Sequence, residues 1–120
     1  MVEKPNKPIY DLEERTFQFA KQVRLWIKNL SKTIGNTEDM KQLVRASGSV
    51  GANYIEANES LSKKDFHFWI KICRKEAKES GYWLRLILET NDNLSDENKG
   101  TALFNESIEL KKIFSAIAGK

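Results

Sequence analysis

Proline is confined to the start of this 120-residue sequence, where Pro5 and Pro8 precede every segment with regular apolar spacing. Proline interrupts helices because it lacks a backbone N–H and its ring clashes with the preceding turn. In the rest of the chain, four segments place apolar residues every three or four positions, as along one face of an α-helix. The sequence therefore predicts an all-α protein.

Each of the four segments has a candidate N-cap at its start, namely Asp11, Thr37, Ser62 and Ser95. Asp11 and Ser62 are each followed three residues later by an acid, the arrangement of a capping box. The Gly-Asn pair at 35–36 is predicted to end the first helix in a turn. Because the connections are short, consecutive helices should pack as antiparallel neighbours. We expect an antiparallel up-down four-helix bundle, a single domain over residues 9–118 with an N-terminal tail at residues 1–8.

The third predicted helix is the longest, at about 28 residues or about 42 Å, and it has apolar residues on two sides. One side carries Phe66, Ile70, Cys73, Ala77, Leu84 and Leu88. The second apolar side carries Phe68, Ile72, Trp83 and Leu86. A helix that is apolar on two sides either runs through the centre of a protein or meets a second subunit. In a chain with only four helices a subunit contact is the better explanation, so we expect a homo-oligomer.

The second predicted helix has unusually small side chains at 46–49 and 51–52. Each glycine costs about 1 kcal/mol relative to alanine in a helix interior, and the close approach of a neighbouring helix should offset that cost.

Polar residues step along the same helix at spacings of four, four and three, and two acids of the third helix could answer them. The predicted polar network consists of Arg45, Ser49, Asn53, Glu56, Glu76 and Glu79. Such a network either fixes helix register or a subunit contact, or it binds a ligand directly. In the structural interpretation, replacing Arg45 or Glu56 by alanine destabilises the fold or the assembly.

Few residues of the chain could support catalysis or metal binding. Its one histidine, His67, and its one cysteine, Cys73, cannot supply the ligand set of a zinc site. Lys64 stands three residues before His67, where a di-metal site in a bundle needs an acid. Cys73 lies on an apolar stripe, where a thiol is unreactive. We expect no enzyme activity, no metal and no cofactor.

The single cysteine excludes an intramolecular disulfide. The polar start of the chain does not resemble a signal peptide, and no apolar run approaches the roughly 20 residues of a membrane span. These features predict a cytoplasmic protein with no membrane partner.

Basic residues are concentrated on the first and third predicted helices, although the net charge is only +3. The first basic row consists of Lys21, Arg24, Lys28 and Lys32. The second basic row consists of Lys71, Lys75, Lys78 and Arg85, with Lys64 on the same face. Such rows could neutralise the phosphates of a nucleic acid. They could equally be solvated faces that hold weak ion pairs.

Two parts of the sequence resemble a known family. They are residues 43–57, with the pattern Arg-Ala-x-x-Ser-x-x-x-Asn-x-x-Glu, and the third-helix segments 63–66, 75–79 and 82–86. Both are similar to the four-helix-bundle proteins encoded in intervening sequences of bacterial 23S ribosomal RNA, over roughly residues 8–90. Ala57 departs from the family pattern, in which glycine often follows the glutamate.

The resemblance implies a homopentameric ring with a basic, pore-containing body. The accessory variability determinant of diversity-generating retroelements, which binds reverse transcriptase and nucleic acid, is similar to the same family.

Two functional hypotheses follow. The first is a non-enzymatic, oligomeric accessory protein that binds RNA through the two basic rows. The second is a protein-docking or structural ring with no nucleic-acid role, in which the rows are solvated faces. The expected partners are copies of the chain itself, as a pentamer, and an RNA or a reverse transcriptase.

Overall fold

The computed structural model describes residues 11–119, and it folds these into four α-helices. They are α1 (Leu12–Ile27), α2 (Ile34–Asn58), α3 (Lys63–Thr90) and α4 (Glu97–Ala118). The prediction of an all-α four-helix bundle is confirmed. The predicted tail at residues 1–8, and residues 9 and 10 of the predicted domain, lie outside the described residues.

Contacts between helices show that chain neighbours run antiparallel. Near its start α1 meets the end of α2, where Asn58 Nδ2 donates to Glu13 Oε2 over 2.8 Å. Near its end α1 meets the first half of α2, where Arg24 Nη2 donates to the Val44 carbonyl over 3.3 Å. The longest helix, α3, packs against both α2 and α4, whereas α1 packs mainly against α2 and less extensively against α4.

The core lies between all four helices. The apolar spacing of the first segment predicts a buried stripe of Leu12, Thr16, Phe19, Val23, Ile27 and Leu30. This prediction is confirmed, because all of them are buried except for the partly buried Ile27. The largest fully buried side chains come from the other three helices, namely Leu43, Ile70, Leu84, Ile87, Leu110 and Phe114. Ile87 was missing from the predicted α3 stripe.

The N-caps explain where the helices begin. Asp11 Oδ1 accepts from the Glu14 N–H over 3.2 Å and Ser62 Oγ accepts from the Asp65 N–H over 3.0 Å, as predicted. The Ser95 prediction is wrong by one residue, because Asp96 is the N-cap of α4 and makes no side-chain cap bond.

The predicted turn at 35–36 and the predicted cap at Thr37 are wrong, because α2 begins four residues earlier. Thr33 is its N-cap, and the Thr33 hydroxyl accepts from the Asn36 N–H over 3.1 Å. The buried Asn36 side chain exchanges two 2.8 Å hydrogen bonds with Asn91 at the end of α3. This contact draws the Gly-Asn pair into the first turn of the helix.

Two glycines allow close helix contacts, one on α2, where the small side chains led us to expect it, and one on α3, where we had no such expectation. A Cβ built on Gly51 would lie 2.8 Å from Thr16 Oγ1 of α1. A Cβ built on Gly81 of α3 would lie 2.7 Å from Ser107 Oγ of α4. Both helix pairs are therefore close at mid-length.

Candidate nucleic-acid interface

The first basic row lies along the outer side of α1 and continues past its end. Lys21 and Arg24 are on the helix, Lys28 is its C-cap, and Lys32 is in the connection to α2. All four side chains are exposed. The predicted spacing therefore puts four cations on one edge of the bundle.

A groove runs between the end of α1 and the start of α2, with a volume of about 610 Å³. The α1–α2 groove is lined by Arg24, Ile27, Lys28, Lys32, Thr37, Met40, Lys41 and Val44. Its cationic side chains surround an apolar floor of Ile27, Met40 and Val44. None of these described lining residues is acidic.

A second hollow of about 520 Å³ adjoins the groove, since both are lined by Arg24 and Lys28. The upper hollow is lined by Phe17, Ala20, Lys21, Arg24, Leu25, Lys28 and Gly48. Two of its apolar side chains are exposed, Phe17 at 59% and Leu25 at 40%. Together the groove and the upper hollow form a basic surface with apolar side chains between the charges.

Arg24 fixes the middle of this surface by linking the two helices. Its Nη1 donates to the Ala20 carbonyl over 3.0 Å, and its Nη2 donates to the Val44 carbonyl over 3.3 Å. A Cβ on Gly48 would lie 3.2 Å from Arg24 Nη2, so the glycine leaves room for the guanidinium to cross. The carbonyls hold the side chain without neutralising its charge.

The second basic row lies on α3, which packs mainly against α2 and α4, so the two rows lie on helices that are not close neighbours. Lys71, Lys75, Lys78 and Arg85 are all exposed, as is Lys64. Arg85 Nε donates to Glu89 Oε2 over 2.9 Å, and this hydrogen bond raises the pKa of the guanidinium. The α3–α4 hollow beside the row, lined by Tyr82 and Phe104 among others, has a volume of about 260 Å³.

The second apolar side of α3 is only partly covered by the chain's own bundle. Trp83 is half-buried and packs against the core. Ile72 and Leu86 are also half-buried, whereas Phe68 is 56% exposed. This side of the helix therefore leaves apolar surface uncovered in the single chain.

The predicted polar network forms in part. Arg45 of α2 reaches Glu76 Oε1 at 3.5 Å and Glu79 Oε1 at 3.1 Å on α3. Glu76 is buried, at 7% exposure. Arg45 therefore supplies the positive partner that a buried carboxylate needs.

Three predicted network members do not join this bridge. Asn53 Nδ2 donates to the Ser49 carbonyl of its own helix over 2.8 Å. Glu56 is exposed, and among residues 11–119 its carboxylate makes no hydrogen bond or ion pair, so within the single chain it stands apart from the Arg45 bridge. Residue spacing along α2 alone could not show which of these side chains face α3.

The chain matches the family model described as 23S rRNA-intervening sequence protein over residues 10–116. It belongs to this family. A search of curated proteins found no match.

A solved structure supports the assignment of this intervening-sequence protein. The chain is similar to a protein of unknown function from the S23 ribosomal protein family of Bacteroides thetaiotaomicron, determined by crystallography at 1.70 Å resolution. The two share 28% sequence identity with a TM-score of 0.74, over 90% of this chain and 98% of the other. The same bundle therefore occurs in both proteins.

Outside the basic surface, few groups of this family member are reactive or able to bind a metal ion. Cys73 is fully buried, and burial raises the pKa of its thiol to about 12. Within residues 11–119 no three histidine, cysteine or acidic side chains come together to hold a metal ion. No helix in the same residues is long and apolar enough to cross a membrane.

Sequence reasoning missed several residues of this protein. Lys41 completes the α1–α2 groove from α2, and its charge contacts Glu38 Oε2 at 3.4 Å on the exposed surface. Phe17 and Leu25 are apolar but lie outside the buried stripe of α1. Their positions in the sequence could have shown that they lie on the same side of the helix as the cations. An ion pair between Arg15 Nε and Glu106 Oε2, 2.7 Å long, joins α1 to α4. Nothing in the sequence around either residue indicates that the two side chains meet.

Proposed function

We propose that this protein is a non-enzymatic, homo-oligomeric accessory protein that binds RNA, and that the RNA backbone lies along the α1–α2 groove. One observation carries the proposal: four cations of the groove surround an apolar floor, and no described lining residue is acidic. A polyanion can neutralise all of these charges at once. The proposed setting is the cytoplasm.

The energetics of such binding come mainly from counterions. Each phosphate that a lysine or arginine neutralises releases condensed counterions from the nucleic acid, so the affinity falls as salt rises. Lys41 is the one groove cation with a carboxylate within 4 Å among residues 11–119, and that exposed pair contributes little. The other groove cations can exchange water for phosphate without losing an ion pair.

The second basic row receives a weaker role in this proposal. Its lysines are exposed on α3, and Arg85 already has Glu89 as a partner. We assign this row a long-range attraction for RNA, which raises the association rate more than it determines the site.

The proposed assembly uses the second apolar side of α3. Phe68 is exposed there, beside half-buried Ile72 and Leu86. A second copy of the chain would remove this apolar surface from water, at about 25 cal/mol per Å² buried. The resemblance to the ring-forming family suggests five copies.

RNA binding is tested by a salt titration with the wild-type protein and a triple variant, Lys21→Glu, Arg24→Glu and Lys28→Glu. We expect wild-type affinity to fall steeply with salt, with a slope of about −3 in a log–log plot for four contacts to single-stranded RNA. The triple variant should lose at least about 100-fold in affinity at low salt. A matched control, Lys63→Glu, Lys111→Glu and Lys112→Glu, changes the net charge equally at exposed positions outside both rows. Salt-insensitive binding, or a folded triple variant with unchanged affinity, contradicts the proposal.

Assembly is tested by size-exclusion chromatography with light scattering. The wild-type protein should elute as an oligomer, and Phe68→Glu should shift it to smaller species while leaving its helical circular dichroism unchanged. Asn105→Glu serves as a control because Asn105 is exposed on α4. A monomeric wild-type protein contradicts the proposed assembly.

The alternative function is a protein-docking or structural ring without a nucleic-acid role. Exposed aromatic side chains favour it, since Phe17 and Tyr82, each 59% exposed, are residue types that protein interfaces use. This function predicts a protein partner, such as a reverse transcriptase, that stays bound after nuclease treatment. Loss of the partner with nuclease favours RNA binding instead.

A further inference from the structure

We infer that the basic surface formed by the α1–α2 groove and the upper hollow selects unpaired RNA, with bases on the apolar side chains and phosphates on the cations. The inference rests on the proposed function, because it assumes that RNA occupies this surface.

The apolar side chains of this surface are placed between its charges. Ile27, Met40 and Val44 form the floor of the groove, and Phe17 and Leu25 are exposed in the upper hollow. A duplex presents its phosphates and sugars on the outside and keeps its base faces stacked inside, so it would leave these side chains without contacts. An unpaired strand can turn its bases onto them, since every base has a flat apolar face.

The order of residues along α1 fits one continuous strand. Phe17, Lys21, Arg24 and Lys28 follow one another on the same side of the helix at spacings of four, three and four residues. From Phe17 to Lys28 the helix rises about 16 Å. One aromatic ring and three cations therefore line a path longer than a single nucleotide.

The charges favour a nucleic acid over a protein segment as the occupant. The centres of protein interfaces are depleted in lysine, because burying an ammonium group without a partner is costly. Lys21, Lys28 and Lys32 have no carboxylate within 4 Å among residues 11–119. An RNA strand carries one phosphate per nucleotide and supplies a partner for each cation.

The experiment compares a single-stranded oligoribonucleotide with the duplex of the same length and sequence, at one fixed salt concentration. Wild-type protein should bind the single strand at least about 10-fold more tightly than the duplex. Phe17→Leu, which keeps apolar area but removes the flat ring, should weaken single-strand binding by about 5- to 100-fold, the range for loss of one stacked base. Duplex affinity should change by less than about twofold. Phe17→Trp keeps a flat ring at this position and should bind the single strand as tightly as the wild-type protein. Leu61→Ala, at a fully exposed position outside the surface, should have no effect.

The possible results separate the inference from the proposed function. Equal affinity for the two RNA forms, or equal losses for both in Phe17→Leu, overturns the inference and leaves RNA binding in place. Absence of salt-dependent binding to either form overturns both. Light scattering on the same variants tests whether a second copy of the chain occupies this surface instead of RNA. If Phe17→Leu reduces the oligomer size, the surface is a subunit contact and the inference is wrong.

Discussion

The α1–α2 pair and the α3–α4 pair are built alike but present different surfaces. In each pair a mid-helix glycine faces a hydroxyl of the partner helix, Gly51 against Thr16 and Gly81 against Ser107. Each pair also carries a basic row. Yet the α1–α2 pair has hollows of about 610 and 520 Å³ beside its row, whereas the hollow between α3 and α4 measures about 260 Å³.

Both linings mix small side chains with aromatic ones, so side-chain size within one helix does not set the volumes. The upper hollow of the α1–α2 pair is lined by Gly48 and Phe17 among others. The hollow between α3 and α4 is lined by Gly81, Tyr82 and Phe104 among others. A row of cations on one helix therefore shows which charges are exposed, but the neighbouring helix decides whether they border a groove.

The largest predicted effect tests whether the two pairs form one body. Cys73 lies in the core that both pairs share, and its pKa of about 12 exceeds the ordinary value for cysteine. At pH 8 a thiol reagent should label the native protein about 1,000-fold more slowly than the unfolded chain, because the thiolate is the reactive form. Rapid labelling without denaturant would mean that the pairs separate readily.

The raised pKa of Cys73 also predicts that the free energy of unfolding depends on pH. The folded state holds the Cys73 proton more tightly than the unfolded state, so unfolding releases a proton between about pH 9 and pH 12. This group therefore makes the free energy of unfolding fall as pH rises above about 9. Cys73→Ala should show a shallower decline over that range in denaturant titrations.

Gly51→Val and Gly81→Val test the shared construction of the pairs. Thr16 and Ser107 hydroxyls donate to carbonyls of their own helices over 2.7 and 2.6 Å, so neither can move away easily. Each variant should lower the free energy of unfolding by about 1–3 kcal/mol, the cost of overpacking. Only Gly51→Val should also weaken RNA binding by the folded protein, because it displaces α1 from α2. Equal RNA losses in both variants would remove the distinction between the pairs.

Ion pairs join the two helix pairs, and they should differ in strength. Arg15 makes two hydrogen bonds with Glu106, of 2.7 and 2.8 Å, and both side chains are about one-quarter exposed. Arg15→Ala should lower stability by about 1–2 kcal/mol. Arg45→Ala should cost about 1 kcal/mol, since its side chain is half exposed, and Glu56→Ala less than about 0.5 kcal/mol. Thermal unfolding of the three variants would contradict this order if Glu56→Ala were the most destabilised.

Small effects are also expected at two other glycines of α2. A Cβ on Gly35 meets nothing within 4 Å, so Gly35→Ala should stabilise the protein by about 0.4–1 kcal/mol. Gly48→Ala gains similar helix propensity but must displace Arg24, and its net effect should stay within about 0.5 kcal/mol. If Gly48→Ala stabilised the fold as much as Gly35→Ala, the crossing of Arg24 would be unconstrained.

The sequence was sufficient to predict the bundle and most of its buried faces, because both depend on local spacing. Leu12, Phe19 and Val23 are buried as their periodicity requires. The caps at Asp11 and Ser62 were also predictable, since each bond spans only three residues.

What the sequence left open depends on distant contacts. The start of α2 involves Asn36 and Asn91, which are 55 residues apart. Lys41 joins the first basic row only because α2 packs beside α1. Likewise, the volume of the groove depends on the sizes of side chains from two helices, which no pattern within one helix reveals.

The most direct test of the account compares salt dependence in two neutralised variants. One replaces the groove cations Arg24, Lys28 and Lys32 by glutamine, and the other replaces Lys71, Lys75 and Lys78 by glutamine. For single-stranded RNA we expect the first variant to reduce the log–log salt slope by about 2, the value for three lost phosphate contacts, and the second to leave it within about 0.5 of wild type. An equal or larger reduction in the second variant would contradict the assignment of RNA to the α1–α2 groove.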